Sequence, residues 1–482
     1  MAQPTTSGNV LTTLDDKVPT AFYWQLTLLA TLGGFLFGYD TSNIGSALNF
    51  VPYHLHGLAL GYLVSGASLG AAAGAILAGP TSDHFGRKLL LIVDAGIYAT
   101  GAILSAVTPN AAVLLTARTL IGLAIGADSA IATAYIAEYA PKNRRGSLSL
   151  LQQWMITVGI LISYIVALII FSAFPGSAAT VGWRLVLGLG AVPALIGLAL
   201  RTQMPESPRW LLRHERYEDV QKAMATLGTE ASMDDIRRAA RTVEQFEGGS
   251  REQRRRAWTP GVRRALIVVS VFFIFQQITG INVPLYYGPH LLGPIFSGPH
   301  ATLVATTVAG VEVTAIMTAV NVASTYLGFR WIDKFGRRKL SMGGYAGMIV
   351  FALVAAAGLT LTHGTFRLVV IMIGLDFFIA SFAIGVGGTG WTLQGEVFPT
   401  AVRGQAAAFC AMIDWLANFL VIEAFPVTQN AISLSGVLVV FAGLAALAIA
   451  FIWKFLPETK NLAVEDIIGL FEHQQTTLPE AA

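Results

Sequence analysis

Residues 83–88 read Asp-His-Phe-Gly-Arg-Lys, and residues 333–338, about 250 positions later, read Asp-Lys-Phe-Gly-Arg-Arg. Each charged hexapeptide lies between two long apolar segments. Two further motifs recur at a similar offset. Glu138, followed by Arg145-Gly146, is repeated as Glu396, followed by Arg403-Gly404, and Pro205-Glu-Ser207 is repeated as Pro457-Glu-Thr459. A repeat of this length indicates an internally duplicated chain, and in membrane carriers such a duplication brings the binding site to the interface of the two halves.

The composition is that of a membrane protein. The chain is 54% hydrophobic and only 12% charged, whereas soluble domains average about 25% charged residues. A helix of roughly 20 mostly apolar residues spans a bilayer, and the 49 glycines suit close packing of helices in lipid. The single cysteine, Cys410, excludes an intrachain disulfide and a cysteine-based metal site. We expect no cofactor and no metal.

Apolar segments of spanning length predict twelve transmembrane helices in two sets of six. The predicted helices are 22–48, 57–80, 88–107, 112–140, 147–173, 182–200, 263–292, 300–328, 339–360, 366–396, 402–430 and 432–456. We therefore predict an all-α membrane protein with these regions: an N-terminal tail (1–21), a six-helix bundle (22–200), a linker (201–262), a second six-helix bundle (263–456) and a C-terminal tail (457–482). Helical spacing of apolar residues also predicts short helices at 216–226 and 233–247.

The distribution of charge predicts the orientation. Lys and Arg are concentrated in the two hexapeptides, around Arg144 and Arg145, in the linker and at Arg403, whereas the opposite loops carry almost none. The positive-inside rule places the Lys- and Arg-rich loops, and with them both termini, in the cytoplasm. The linker is interpreted as a solvated segment that helps to set this topology.

A series of motifs in order resembles those of the sugar porter branch of the major facilitator superfamily, between about residue 22 and residue 470. Besides the two hexapeptides and the two Glu-x6-Arg-Gly pairs, they are Gly33-Gly-Phe-Leu-Phe-Gly-Tyr-Asp40, Pro205-Glu-Ser-Pro-Arg-Trp210, Gln276-Gln-Ile-Thr-Gly-Ile-Asn282 and Pro457-Glu-Thr-Lys460. The resemblance implies the major facilitator fold, with two pseudo-symmetric halves of six helices, and transport of a sugar or a sugar-like solute.

Asp40 is the candidate proton-binding residue. It lies well inside the first predicted helix, and a carboxylate at membrane depth is a functional candidate by default. The resemblance implies that Arg118 is its partner, since the proton symporters of this branch have an acid and an arginine at these two positions. Facilitative members tend to have a neutral amide at the position of Asp40. The pair therefore favours proton symport over uniport, with a static ion pair as the alternative.

A sugar site needs groups that both donate and accept hydrogen bonds, which side-chain amides do, and an aromatic surface for the apolar face of the ring. The resemblance assigns solute binding to Gln153, Gln276, Gln277, Asn282, Asn321 and Trp391, and an outer gate to Tyr286 and Tyr287. Gln277 and Asn282 are five residues apart, so we expect a broken helix between them, which Gly280 and Pro284 permit. For each amide alone the alternative is a hydrogen bond between helices.

Charged residues at the predicted cytoplasmic helix ends are candidates for an inner gate. They are Asp83, Arg87, Glu138, Arg145, Glu206, Asp333, Arg337, Glu396, Arg403 and Glu458. We predict that they pair across the two halves as a bistable latch when the site faces outward. The alternative is surface charge that only sets topology, in ion pairs worth under about 1 kcal/mol.

Several acids in apolar segments depart from the family pattern: Asp128, Glu312, Asp376, Asp414 and Glu423. Asp414 occupies a position where the family has an amide that contacts sugar, so we include it in the predicted solute site. Three roles remain open for it: accepting hydrogen bonds from a polyol, pairing with a cationic group on a non-sugar or amino-sugar solute, or binding a second proton.

The sequence thus predicts a proton-coupled carrier of a monosaccharide or polyol that works by alternating access. A facilitative sugar uniporter, and a proton-coupled carrier of an organic acid or an amino-bearing solute, are the alternatives. The expected partners are the solute, protons and the lipid bilayer, without nucleic acid, and the chain is expected to be a monomer in a plasma membrane, such as a bacterial inner membrane. An enzyme is not expected, because no nucleotide-binding loop, metal cluster or nucleophile constellation stands out.

Overall fold

The apolar segments fold as helices. The computed structural model describes residues 21–53, 55–139, 145–226, 231–247, 255–460, 462 and 464–473, and these contain no strand. The first half comprises α1 (Ala21–Ala30), α2 (Leu32–Ala47), α3 (Gly57–Phe85), α4 (Arg87–Val107), α5 (Ala111–Tyr139), α6 (Arg145–Ala173), α7 (Trp183–Gly188) and α8 (Ala191–Arg201). A 3-10 turn (Pro175–Ser177) and a π-helical turn (Ala178–Gly182) precede α7.

A linker and a second half follow. The linker contains α9 (Pro208–Arg213), α10 (Tyr217–Thr226) and α11 (Met233–Glu247). The second half comprises α12 (Pro260–Ile278), α13 (Asn282–Phe296), α14 (Leu303–Phe335), α15 (Arg337–Leu361), α16 (Gly364–Phe382), α17 (Gly388–Glu396) and α18 (Thr400–Phe455), and α19 (Val464–His473) ends the described chain. The linker has helices where 216–226 and 233–247 predict them, and α9 is an additional one.

Ten helical segments among the described residues are long and apolar enough to cross a membrane. The first predicted crossing is not one of them, because it is interrupted at Thr31 between α1 and α2. One of the ten runs from Val402 to Phe455, about twice the necessary length, and Ser433 inside it has a non-helical backbone with φ 64° and ψ 165°. Counting the first pair as one crossing and the last segment as two gives the twelve that the sequence predicts.

Small residues bring the helices of the first half close together. A side chain at Gly122 or Gly126 of α5 would overlap the carbonyl oxygen of Ala67 or Ala71 on α3. Glycine or alanine every fourth residue on both helices therefore allows backbone contact, as is common between helices in lipid. This contact positions Arg118, one turn before Gly122 on α5, against the backbone of α3.

The linker packs onto the end of the first half that bears the first hexapeptide. Apolar side chains of its three helices, including Trp210, Met224 and Ile236, form a buried cluster with Tyr135 and Ile136 of α5. Amphipathic α11 supplies Ile236 and Ala239 to this cluster and leaves Arg237 and Arg238 exposed. The linker therefore has a small core of its own that joins it to the first bundle.

Candidate functional site

A buried ion pair lies inside the first half. The Nη1 atom of Arg118 on α5 donates to Asp40 Oδ1 on α2, and the two residues are 0% and 2% exposed. Arg118 Nε donates to the carbonyl oxygen of Leu63 at 3.2 Å, and Nη2 has no hydrogen-bond partner. One guanidinium donor is therefore left free beside the pair. The structure brings together the two residues that the sequence singles out for proton coupling.

A chain of polar side chains crosses the interface between the halves. Gln277 Nε2 donates to Asp414 Oδ1 at 2.7 Å, and Gln277 Oε1 accepts from Asn282 Nδ2 at 2.9 Å. Asn282 also donates to Asn418 Oδ1 at 3.0 Å, and Asn418 Nδ2 donates to Ser68 Oγ in the first half at 2.9 Å. Three predicted solute-binding residues thus form one hydrogen-bonded group.

The predicted helix break makes this group possible. Helix α12 ends at Ile278 and α13 begins at Asn282, with Gly280 between them at φ +82°. A positive φ is readily adopted only by glycine. On a continuous helix, residues five apart would point to different faces. The break turns the Asn282 side chain back toward Gln277, as the sequence predicts.

The other predicted solute-binding residues surround this chain without joining it. Gln276 donates from Nε2 to the Gly387 carbonyl oxygen at 3.3 Å, and its buried Oε1 has no partner. The half-buried Trp391 ring meets the Phe273 ring edge-on at 5.3 Å. Asn321 is buried on α14, where its Oδ1 accepts from Thr325 at 3.4 Å, and Gln153 is half-buried on α6.

Hydrogen bonds join the two halves on the side away from the Lys- and Arg-rich loops. They include Asn49–Thr307 (3.0 Å), Asn49–His290 (2.6 Å), Tyr164–Leu285 (2.5 Å) and Ser65–Glu423 (2.6 Å). Tyr286 and Tyr287 lie in the same region and are 1% exposed, with Tyr287 donating to the Ile422 carbonyl oxygen at 3.1 Å. The halves are thus held together at their outer ends.

At the opposite end, the first half contains a compact charged network. Arg87 lies 2.9 Å from Asp83 and 3.0 Å from Glu138. The Glu206 carboxylate accepts from the backbone N–H groups of Arg87 and Lys88 at 3.0 and 3.1 Å, which satisfies donors that the start of α4 leaves free. Burial raises the pKa of Glu206, and these N–H groups oppose the rise.

The second half repeats this network. Arg337 lies 3.0 Å from Asp333 and 2.5 Å from Glu396, and Glu458 accepts from the backbone N–H groups of Arg337 and Arg338 at 2.9 and 3.1 Å. The glycines before the two arginines, Gly86 and Gly336, have φ values of +97° and +87°, and a side chain on either would overlap the capping glutamate. The hexapeptides therefore have the same structure in both halves.

These ion pairs form within each half. The predicted pairing across the halves concerns the outward-facing state. Here the halves are joined at the opposite end, so that pairing stays a prediction. Arg403 donates to the Phe398 carbonyl oxygen at 3.0 Å instead of to an acid across the interface. The side chain of Arg145 lies outside the described residues.

Three buried polar residues near these sites were not singled out from the sequence. Asn418 links the solute-site amides to the first half, and its spacing of four residues from Asp414 on one helix face is a signal that could have found it. Asp94 and Arg201 lie with Asp128 beside a small cavity. In the sequence, Asp94 and Arg201 lie near the ends of predicted helices, where a charged residue is ordinarily solvated.

Two helical bundles with a buried acid–arginine pair and a polar interface between them define a membrane carrier of the major facilitator fold. Comparison with known proteins identifies its family. The family model described as "Sugar (and other) transporter" matches residues 26–471. The chain is 34% identical to a glucose transporter of Staphylococcus epidermidis over 450 residues, which cover 92% of this chain and 96% of that relative.

A second relative, an arabinose–proton symporter of Bacillus subtilis, is 31% identical over 476 residues, covering 96% of this chain and 99% of the relative. The solved structure of the xylose transporter XylE from E. coli, in a partially occluded inward-open conformation, matches with a TM-score of 0.78 and 28% identity, over 92% of this chain and 100% of that one. This chain belongs to the sugar transporter family. It is a multi-pass transporter of the plasma membrane and not an enzyme.

Proposed function

We propose that this protein is a symporter that couples the inward movement of a proton to that of a monosaccharide or polyol. The observation that carries the proposal is the buried Asp40–Arg118 pair. The relatives transport glucose, arabinose with protons, and xylose, so they support the solute class without selecting one sugar.

Proton coupling follows from the chemistry of this pair. Arginine stays charged inside a protein, so only Asp40 can change its protonation state. When Asp40 takes up a proton, its attraction to Arg118 falls, and the guanidinium is free to turn its donors to another acceptor. A buried arginine without a counter-ion is costly, so the change favours another arrangement of helices. Protonation of Asp40 thereby shifts the equilibrium between conformations.

The solute site we propose consists of Gln276, Gln277, Asn282, Asp414 and Trp391, with Gln153 and Asn321 facing them from the other helices. Sugar hydroxyls both donate and accept, as do the amides. The free Oε1 of Gln276 is an acceptor ready for a hydroxyl. The indole ring of Trp391 offers an apolar surface to the sugar ring.

We propose that the carrier is a monomer with both termini in the cytoplasm, whose bundles 22–200 and 263–456 rock about the site. Tyr286 and Tyr287 belong to the outer gate. The two cytoplasmic networks keep each hexapeptide folded while the inner side is open. When the halves close on the cytoplasmic side, Arg145 and Arg403 are available to pair with the acids of the networks. Proton and solute leave while the cytoplasmic side is open, and the empty carrier then resets.

The test is uptake of hexoses, pentoses and inositols into proteoliposomes, with and without an inward proton gradient, in the wild type and in Asp40→Asn. We expect the gradient to drive accumulation of a neutral solute in the wild type. The variant should equilibrate that solute and still exchange it, because the amides of the site are intact. Uptake that ignores both the gradient and the variant would make the protein a uniporter, with Asp40 in a structural role.

Asp414 supports one second candidate, a carrier of an amino-bearing solute. It is a buried carboxylate in contact with Gln277, and an ammonium group in the site would pair with it. An organic acid would be repelled by the same charge. Including amino sugars in the uptake screen, beside Asp414→Asn, separates the two: loss of amino-sugar uptake with retained neutral-sugar uptake would favour this candidate.

A further inference from the structure

A second group of buried charges lies in the first half, apart from the Asp40–Arg118 pair. Arg201 Nη1, near the end of α8, is 2.6 Å from Asp128 Oδ1 on α5. Asp94 of α4 lines the same small cavity as these two residues. Asp94, Asp128 and Arg201 are 5%, 3% and 1% exposed. This Asp94–Asp128–Arg201 cluster contains two acids and one permanent cation.

The contacts show that one acid has no counter-ion of its own. Arg201 pairs with Asp128 and directs its other contacts to backbone carbonyl oxygens, those of Leu91 at 2.7 Å and Leu29 at 3.3 Å. Asp94 Oδ2 is buried and has no hydrogen-bond partner. With both acids ionised, the cluster would bear a net charge of −1 inside the membrane, and an uncompensated buried charge is strongly disfavoured.

No other described residue that lines the cavity can neutralise this charge. The cavity is lined from α2 by Gly33 and Leu36, from α4 also by Ala95 and Tyr98, and from α5 also by Ala124 and Ile125. Tyr98, the remaining titratable residue in that lining, donates its hydroxyl to the Leu36 carbonyl oxygen at 3.0 Å. A metal cation is disfavoured by the guanidinium of Arg201 in the same space.

We propose that the Asp94–Asp128–Arg201 cluster is a second proton-binding site, which holds one proton on one of its two carboxylates and receives it from Asp40 on the way to the cytoplasm. Occupancy of the cluster by a proton stands on the cluster alone, whereas the transfer rests on the proposed function. In the transfer, the O–H bond of protonated Asp40 breaks and an O–H bond forms at a carboxylate oxygen of Asp94 or Asp128. That bond breaks in turn when the proton leaves for the cytoplasm.

The position of the cluster suits a relay. Asp128 follows Arg118 by ten residues on α5, so it lies about 15 Å nearer the cytoplasmic end at 1.5 Å per residue. Asp94 is seven residues from the cytoplasmic start of α4. Gly33, seven residues before Asp40 on α2, is in contact with the Asp128 carboxylate, since a side chain there would overlap it. A movement of α2 that follows protonation of Asp40 would therefore change the contact of Gly33 with Asp128.

Occupancy is tested by infrared difference spectroscopy of the protein in lipid, with the protonated carboxyl C=O band followed across a pH titration. We expect Asp94→Asn to remove one protonated carboxyl per molecule. Asp128→Asn should remove it too, since Asp94 then ionises as the counter-ion of Arg201. Asp40→Asn should leave this band in place, which separates the cluster from the proposed coupling residue.

The proposal would be overturned if the spectra of Asp94→Asn and Asp128→Asn superposed on that of the wild type at every pH. It would also be overturned if sodium abolished the protonated carboxyl band and potassium did not. Arg201→Gln gives a change of opposite sign, because two acids without a cation should both be protonated and the band should grow. A failure of proton-driven uptake in the wild type would refute the proposed symport but would leave the band unaffected.

The transfer step is tested by comparing net uptake with exchange. Asp94→Asn should lower gradient-driven net uptake while solute exchange, which needs no release of the proton, is retained, and Asp94→Glu should restore net uptake. If net uptake and exchange fall together, the cluster only stabilises the fold. Unchanged net uptake in Asp94→Asn would show that the proton does not pass through the cluster.

Discussion

Glu206 gives a sharp test of how the charged hexapeptides are held in place. Its carboxylate accepts from the backbone N–H groups of Arg87, Lys88 and Ser207 at 3.0, 3.1 and 2.8 Å, at the start of α4. In Glu206→Gln the amide oxygen keeps part of this bonding, but the charge is lost. Hydrogen bonds to a charged group contribute about 1.5–3 kcal/mol, and a carboxylate at a helix N-terminus up to about 2 kcal/mol.

We therefore expect Glu206→Gln to lower the free energy of unfolding by about 2 kcal/mol. For a bundle of this size the midpoint of thermal unfolding should fall by roughly 4–8 °C. The assay is thermal unfolding of purified protein in detergent. Glu458→Gln should produce a matching fall because the second half repeats the contacts, and the two shifts should add, since the sites share no partner.

The control is Glu218→Gln, an exposed glutamate of α10, for which we expect less than about 1 kcal/mol. A midpoint shift for Glu206→Gln no larger than that of Glu218→Gln would refute the capping role. A rise in the midpoint would show that the burial of Glu206, which raises its pKa, outweighs the N–H donors.

Three further perturbations test the site and its closure. Gly280→Ala places a side chain at φ +82° against the Phe441 ring. The substitution should destabilise the backbone conformation between α12 and α13 by at least about 1–2 kcal/mol. Solute binding, measured by calorimetry, should weaken. Asn418→Ala removes the link from Asn282 to the first half and should raise KM about fivefold for each hydrogen bond of about 1 kcal/mol, whereas the exposed Asn430→Ala should leave KM unchanged. Ser65→Ala removes the 2.6 Å hydrogen bond to Glu423 and should shift the carrier toward outward-open conformations. This shift should be seen as faster labelling of a cysteine introduced at position 68. Unchanged labelling would contradict a role of the Ser65–Glu423 bond in closing the outer side.

The fold follows from the sequence wherever a single local property decides it. Segments of about 20 apolar residues have to cross the membrane, so the helices lie where hydropathy predicts them. The interruption at Thr31 was not predicted, because threonine is not a strong helix breaker and the apolar pattern continues through it. The non-helical Ser433 lies at the predicted boundary between helices 402–430 and 432–456. The break at Gly280 was predicted, because a glycine stands between two amides that a straight helix would separate.

The site was predictable where a motif fixes the position and less so where partners meet only in three dimensions. Asp40 was found because a charge in an apolar helix has few explanations, and Arg118 because the resemblance pairs these two positions. The ion pairs within each half were not predicted, since which half supplies the partner depends on the conformation, and the pairing across the halves stays a prediction for the outward-facing state. The Asp94–Asp128–Arg201 cluster draws on three helices, and two of its members lie close enough to helix ends to be taken for solvated residues.

Proton coupling at Asp40 is tested most directly by the proton movement that accompanies solute entry. Proteoliposomes without an imposed gradient are given solute while a pH electrode follows the external medium. We expect the medium to become alkaline in proportion to the solute taken up. This change should be absent in Asp40→Asn although exchange persists, and it should be retained in the linker variant Asp219→Asn. Solute entry by the wild type without any change of external pH would contradict proton coupling at Asp40.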